Sequence, residues 1–267
     1  MPDQPRPIPL NSKATIISMA VLALAASSLL HEGLGHGVTA WLRGDIPTIL
    51  TSNHLDDIRP DRLVDAGGTL VNLAAGAIAM YASTLASTRA SRHINLRYFL
   101  WLLGSFNLMD GAGYFLFSGI LGLGDWQEVI RGLPHYVALR VIMVLFGAAL
   151  YFMVVKLIAR LLQPFCPDRT QHRSLYNIVG RLPYYAACAF YSLAGAFDPL
   201  GIKLLLISTI PAAFGGNSGL MWADSLLPAT STEPPLIVSR SPAWWVAAIV
   251  IGLAYILTLG RGVHLPH

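Results

Sequence analysis

The chain alternates between long apolar blocks and short polar stretches. A helix needs about 20 apolar residues to cross a bilayer, and the sequence contains six blocks of roughly this length, at 14–42, 67–87, 98–124, 136–161, 182–214 and 243–260. The pattern predicts an all-α fold, a polytopic transmembrane helical bundle of about six spans. Asp198-Pro199 interrupts the fifth block, which therefore predicts either one broken span or two.

Composition supports this class of protein. Hydrophobic residues make up 54% of the 267 residues and charged residues only 12%, about half of the charged fraction in a soluble domain. The positive residues cluster between the apolar blocks rather than on one segment, which is typical of membrane topology signals and not of a nucleic-acid surface. We therefore expect a lipid bilayer around the chain and no nucleic-acid partner.

The distribution of Lys and Arg predicts an orientation. With six crossings, the loops on the side of both termini carry more Lys and Arg than the loops on the opposite side. Positive residues accumulate in cytoplasmic loops, so the sequence predicts a multi-pass protein of the cell (inner) membrane with both termini in the cytoplasm. The apolar run that begins at Ala14 also has features of a signal peptide, but it continues directly into a polar motif, which favours a retained span.

That polar motif is His31-Glu32-Gly33-Leu34-Gly35-His36, which reads HEGLGH. Two imidazoles and a carboxylate inside an apolar span are costly unless they bind a ligand or face water. Zinc accepts neutral imidazole nitrogen, and a neighbouring Glu can act as general base on an activated water molecule. The motif predicts a zinc site; the alternative is a set of polar residues that form hydrogen bonds between helices.

The spacing of the two histidines departs from the common zinc motif. In H-E-x-x-H both imidazoles lie on one helical face, whereas the extra residue here places His31 and His36 roughly 140° apart on an ideal α-helix. A π-bulge absorbs one extra residue and would bring the two rings together. Gly33 and Gly35 supply the backbone freedom for it, so we predict a π-bulge at this motif.

Two further polar positions lie in later blocks. Asp110 is the one carboxylate in the third block, and because a zinc site needs a third protein ligand, we expect Asp110 to supply it. Asn107 lies one turn earlier, where it could orient that carboxylate or contact a substrate. In the second block, Gly68 permits close helix packing and Asn72 offers both a donor and an acceptor.

Together these stretches resemble the site-2 protease family of intramembrane metalloproteases. That family carries H-E-x-x-H on one span, G-x-x-x-N/S/G on a following span and a D-G pair on a later one. The matching stretches here are HEGLGH, Gly68 to Asn72, and Asp110-Gly111, in that order and within roughly the first 125 residues. The longer H-E-x-x-G-H form is also similar to the zinc motif of the dipeptidyl peptidase III family.

The resemblance implies a site and an activity. It implies zinc held by His31, His36 and Asp110, Glu32 as the catalytic base, and Asn72, with Asn107, near the substrate. The expected function is an intramembrane zinc metalloprotease that hydrolyses peptide bonds of membrane-embedded or membrane-proximal protein or peptide substrates. The alternative is a non-proteolytic membrane protein, either a metal-binding transporter or a catalytically silent relative.

The same interpretation divides the chain into three parts. Residues 1–13 form a cytoplasmic N-terminal segment, residues 14–124 form a metalloprotease-like membrane core of three spans, and residues 125–267 add further spans to the same membrane domain. The family motifs lie in the second part, so the sequence assigns no chemistry to the third.

Overall fold

The computed structural model of the protein describes residues 10–59, 61–86, 91–167, 172–228 and 233–265. Residues 1 to 9 of the predicted cytoplasmic segment 1–13 therefore lie outside the described residues. Most of the described chain is helical, in α1 (Lys13–Leu42), α2 (Arg62–Leu85), α3 (Ser91–Leu121), α4 (Asp125–Ile130), α5 (Tyr136–Phe165), α6 (172–195), α7 (Gly201–Leu226) and α8 (Pro242–Leu257).

The all-α prediction is confirmed for the body of the chain, and a small sheet accompanies it. Strands β1 (Pro47–Leu50), β2 (Leu55–Asp57) and β3 (Val263–His264) form one sheet in the order β2-β1-β3 with antiparallel pairing. The strands have four, three and two residues, and an alternating apolar pattern needs at least about four to be recognised. The sequence therefore gives no signal for the sheet.

Four of the described helices are long and apolar enough to cross a membrane, judged by length and composition: α1, α2, α5 and α7. Helix α8 is also apolar but has 16 residues. The predicted number of about six spans stays a prediction.

The predicted interruption of the fifth block is present. Helix α6 ends at Gly195 and α7 begins at Gly201. Between them, Asp198 Oδ1 accepts a hydrogen bond from the backbone N–H of Leu200 (2.9 Å), and the Asp198 carbonyl accepts one from Gly201 (2.9 Å). Gly201 has a φ of +71°, which favours glycine, so the turn is set by these residues.

Helix α3 lies at the centre of the bundle, against α1, α2 and α5, and α1 also packs on α6 and α8. The core between them is built from large apolar side chains that are fully buried, among them Ile16, Met19, Tyr98, Trp101, Phe106, Ile158 and Phe165. Large apolar side chains are also exposed on the outer faces of α5 and α8, including Val137, Ile142, Leu145, Val246, Ile249 and Leu253. Continuous exposed apolar faces are typical of helices that contact lipid.

The turn between β1 and β2 enters the helical bundle beside α1. Thr51, Ser52 and Asn53 are buried. The Ser52 carbonyl accepts hydrogen bonds from Ser28 Oγ on α1 (2.8 Å) and from the Tyr191 hydroxyl on α6 (2.8 Å). These bonds satisfy a buried backbone carbonyl and fix the turn next to the polar motif of α1.

Candidate metal centre

The predicted π-bulge is confirmed. Residues Leu30–Val38 of α1 form a π-helical segment, in which hydrogen bonds run from residue i to i+5. His31 and His36 are five residues apart, so this geometry brings them to the same face. Both side chains are buried, and their Nε2 atoms lie 3.2 Å from each other.

Glycines allow α2 to approach this segment at backbone contact. A Cβ added to Gly35 would overlap the backbone of Gly68 and Gly67. A Cβ added to Gly68 would lie 2.5 Å from Nε2 of both His31 and His36. The predicted packing role of Gly68 is therefore confirmed, and the helix backbone at this residue forms one wall of the site.

A third side chain converges on the two imidazoles, and it is Asp125. Its Oδ2 lies 3.1 Å from His31 Nε2 and 3.3 Å from His36 Nε2. Among the described residues, His31, His36 and Asp125 form a group that could hold a metal ion. Asp125 is the first residue of α4 and is reached through a tight reversal after α3, in which Gly122 and Gly124 have φ values of +66° and +80°.

The hydrogen bonds of His36 indicate which of its two ring nitrogens carries the proton. His36 Nδ1 is 2.7 Å from the backbone carbonyl of Val64. A carbonyl only accepts, so Nδ1 carries the proton, and in neutral His36 the Nε2 atom presents its lone pair. That lone pair faces His31 Nε2 and the Asp125 carboxylate at 3.2–3.3 Å. Either a proton on His31 Nε2 or a metal ion between the three atoms satisfies these acceptors.

The carboxyl of Asp125 is held in its ionised form. Burial opposes its charge, but the nearby His36 and hydrogen bonds from His31 and His36 outweigh that effect and hold the pKa of Asp125 well below its usual range. This lowering of the pKa belongs to the form in which the histidines are protonated and donate to Asp125; in a metal-bound form, the carboxylate would be deprotonated as well and both imidazoles would be neutral.

Asp110, the residue predicted as third ligand, lies on the other side of His31. Its Oδ2 is 3.6 Å from His31 Nδ1, and Asn72 Nδ2 donates a hydrogen bond to the same oxygen. Asn72 Nδ2 is also 3.2 Å from His31 Nδ1. The structure thus brings both predicted residues to the site, in contact with the ring nitrogen that faces away from Asp125. A metal-ligand role for Asp110 stays a prediction.

Asn107 is buried in α3, and its Nδ2 donates to the backbone carbonyl of Leu103 (2.8 Å). This bond lies within its own helix and not with Asp110. The predicted role of Asn107 in orienting the carboxylate or contacting substrate stays a prediction.

Glu32, the predicted base, is buried beside the histidines. It lines a small inner cavity of about 20 Å³ together with His31, Asp110 and Tyr114. A cavity needs roughly 10–15 Å³ to hold a water molecule, so this one has room for one water, and Glu32 is among the residues that line it. The Tyr114 ring stacks on the His31 ring at a centroid distance of 4.7 Å, which fixes the imidazole in the cavity wall.

The sequence does not predict Asp125, although it contains a faint signal. Asp125 follows the third apolar block directly, in the run Gly122-Leu123-Gly124-Asp125. A charge at that position is also what the end of a span would show. Only the chain reversal at the two glycines, which depends on tertiary packing, returns the carboxylate to α1.

Comparisons of the chain with protein-family models, with curated proteins and with solved structures found no match.

Proposed function

We propose that the chain is a membrane-embedded zinc metalloprotease whose metal is held by His31, His36 and Asp125. The observation that carries the proposal is the convergence of three ligand atoms, two imidazole nitrogens and one carboxylate oxygen, at 3.1–3.3 Å from one another. Tetrahedral zinc with ligand distances of about 2.0–2.1 Å has ligand-to-ligand separations of about 3.3–3.4 Å. The spacing of the three atoms fits such an ion.

The kind of ligand also supports zinc. Two histidines and one carboxylate are a common set in catalytic zinc sites, where the fourth position is open to water or substrate. His36 Nδ1 donates to the Val64 carbonyl, and His31 Nδ1 faces the Asp110 carboxylate at 3.6 Å. Such partners orient the ligating nitrogen and raise its basicity.

The chemistry follows from these residues. When bound, zinc acts as a Lewis acid that polarises a peptide carbonyl and makes water more acidic. Glu32 lines the inner cavity, where it takes the proton from the attacking water and returns it to the leaving amine. The Asp110–Asn72 pair holds His31 in orientation and supplies a negative charge on its far side.

Location in a membrane defines the substrate class. The four long apolar helices and the exposed apolar faces of α5 and α8 fit a lipid environment. A peptide that reaches the site from such surroundings is a membrane-embedded or membrane-proximal segment, and it must be locally unwound for a backbone carbonyl to approach.

The test is Glu32→Gln, with Glu128→Gln as matched control because Glu128 is a partly exposed residue on α4, paired to Arg131. We expect Glu32→Gln to retain its zinc and its fold and to lose hydrolysis of a transmembrane peptide in proteoliposomes by at least about 100-fold, since an amide cannot accept the proton. The control should keep full activity. A Glu32→Gln variant as active as wild type would contradict the proposal, and a zinc-loaded wild type that cleaves nothing would identify a catalytically silent relative.

A further inference from the structure

A larger cavity adjoins the inner one. It has a volume of about 360 Å³, within the roughly 300–1,000 Å³ of ordinary ligand pockets. Four residues line both cavities: Asp110, Tyr114, Ser208 and Ala212. The remaining walls of this outer cavity are mainly apolar side chains and glycines of α3 and α7. The two cavities therefore share walls beside His31, which is the candidate ligand that lines the inner cavity.

Asn217 of α7 lies at the inner cavity. It is 3% exposed and lines that cavity together with Glu32 and His31. Its Nδ2 donates to the backbone carbonyls of Ala212 (3.4 Å) and Ala213 (3.2 Å). Because carbonyls only accept, these bonds fix the orientation of the amide. Its Oδ1 is then left buried without a hydrogen-bond partner in the protein.

A buried acceptor without a partner is costly unless something supplies a donor. In this cavity His31, Glu32 and Asp110 have roles in the proposed chemistry, and Ser28 and Tyr191 donate to the Ser52 carbonyl. Asn217 Oδ1 has neither kind of role among the described residues.

Asn217 lines the inner cavity, and its chain neighbours Gly216 and Ser218 line the outer one. A ligand that occupies both would need an N–H group for Asn217 Oδ1 and an apolar side chain for the outer cavity. A peptide backbone has both, and a lipid acyl chain has no N–H.

Glycines keep the outer cavity, an apolar chamber, open. Gly215 and Gly216 of α7 line the outer cavity. A Cβ on Gly215 would meet no atom within 4 Å, and one on Gly216 would meet only Asp110 Oδ1 at 4.0 Å. Neither glycine is required by backbone packing, in contrast to Gly35 and Gly68. Side chains at these two positions would occupy the space that a ligand needs.

We propose that Asn217 Oδ1 accepts a hydrogen bond from a backbone N–H of the peptide substrate, while the outer cavity receives an apolar side chain of the same peptide. This inference rests on the proposed protease function and adds to it a residue that binds substrate and a chamber that selects for size and polarity. The site would favour a scissile bond flanked by a large apolar residue and would discriminate against glycine at that position.

The experiment measures binding of a defined probe, so that it does not depend on turnover. The probe is N-dansyl-trileucine amide, titrated onto the zinc-loaded protein in nanodiscs, with N-dansyl-triglycine amide as the control ligand. Three further probes each carry one N-methyl group on a different backbone nitrogen. We expect trileucine to bind at least about tenfold more tightly than triglycine, and one N-methyl probe to lose about tenfold.

Variants then locate the interaction. Asn217→Leu has a side chain of similar size without the acceptor, and it should abolish the difference between the N–H and the N-methyl probe, as in a double-mutant cycle. Gly215→Leu should weaken trileucine binding about tenfold by filling the chamber. The matched control is Ala254→Leu, an exposed position on α8, which should leave binding unchanged. The N-methyl series on wild-type protein decides the point even if Asn217→Leu does not fold.

The outcomes separate this inference from the proposed function. Equal binding of trileucine and triglycine, or equal binding of all N-methyl probes, would overturn the inference even in an active protease. The expected binding pattern in a protein that hydrolyses no peptide would support the peptide site and overturn the protease activity.

Discussion

Among the described residues, π-helical turns occur in α1, α6 and α7, and those of α1 and α7 differ in the side chains that they carry. In α1 the segment Leu30–Val38 holds both imidazoles, whereas in α7 the segments Leu205–Thr209 and Pro211–Gly216 contain no histidine or carboxylate. Of the most apolar stretch of each helix, 67% is buried in α1 and 28% in α7. A π-helical turn therefore does not form a metal or catalytic site by itself. Whether it does depends on the residue types that it carries and on their burial.

The glycines of the two regions differ in the same way. In α1, Gly35 is in backbone contact with α2, so a side chain there has no space. In α7, Gly215 faces open space. The α1 segment is packed tightly against α2, whereas the α7 segment forms part of the wall of the outer cavity. We therefore expect a glycine-to-alanine substitution to reduce metal binding when it is made against the α1 segment and to leave metal binding unchanged when it is made in α7.

The largest effect is expected for Gly68→Ala, which faces the α1 segment. Its Cβ would lie 2.5 Å from Nε2 of His31 and of His36, well inside van der Waals contact, so the imidazoles must move apart. We expect zinc content to fall from about one per chain to near zero. Gly215→Ala is the matched control and should keep its zinc. Full zinc occupancy in Gly68→Ala would show that α2 does not approach the histidines as described.

The second effect distinguishes the two carboxylates near His31. Removing a ligand should weaken zinc binding more than removing the partner of a ligand, which typically costs 10–100-fold. We therefore expect Asp125→Asn to weaken zinc binding by more than about 100-fold and Asp110→Asn by about tenfold. Competition with a fluorescent zinc chelator measures both. The reverse order would make Asp110 the ligand, as the sequence predicts.

A smaller effect is expected in the chamber wall. The Tyr151 hydroxyl donates to the Gly216 carbonyl (2.6 Å) and accepts from the Gly219 N–H (2.9 Å). Tyr151→Phe leaves both backbone groups without these bonds, which should lower the free energy of unfolding by about 1–3 kcal/mol while zinc affinity stays unchanged. Thermal unfolding of Tyr151→Phe and of the exposed control Tyr81→Phe measures the first. A loss of zinc from Tyr151→Phe would mean that the two regions are not independent.

The smallest effect is expected at the turn that enters the bundle beside α1. Tyr191→Phe removes one hydrogen bond to the Ser52 carbonyl, but Ser28 still donates to it. Because the carbonyl keeps a partner, we expect a cost of about 0.5–1.5 kcal/mol in unfolding free energy. Chemical denaturation in detergent measures it. A cost well above that range would show that Ser28 does not compensate.

The local parts of the site could be predicted from sequence, and the long-range parts could not. His31, Glu32 and His36 occur in one short motif, and the number of residues between the histidines was sufficient to predict the π-bulge. Asn72 and Asp110 were predicted at the site by the family resemblance, and both contact His31. Asp125 approaches only because the chain reverses at Gly122 and Gly124, and a reversal set by tertiary packing leaves no periodic pattern.

The same distinction applies to the fold. The apolar blocks predicted the long helices because a run of about 20 apolar residues has few alternatives. The interruption at Asp198-Pro199 was also predicted, since the residue before proline disfavours helix. The sheet was not, because β3 pairs with β1 across more than 200 residues of sequence. Asn217 was not predicted either, since it lies just after the fifth apolar block and belongs to no recognisable motif.

We propose that two imidazoles of α1 and one carboxylate of α4 bind zinc. X-ray absorption at the zinc edge, on wild-type protein purified without chelators, tests it most directly. We expect about one zinc per chain, coordinated by two imidazole nitrogens and by oxygen ligands at about 2.0–2.1 Å, with no sulfur. A protein that contains no zinc after purification with the metal present, or a first shell without two imidazoles, would contradict it.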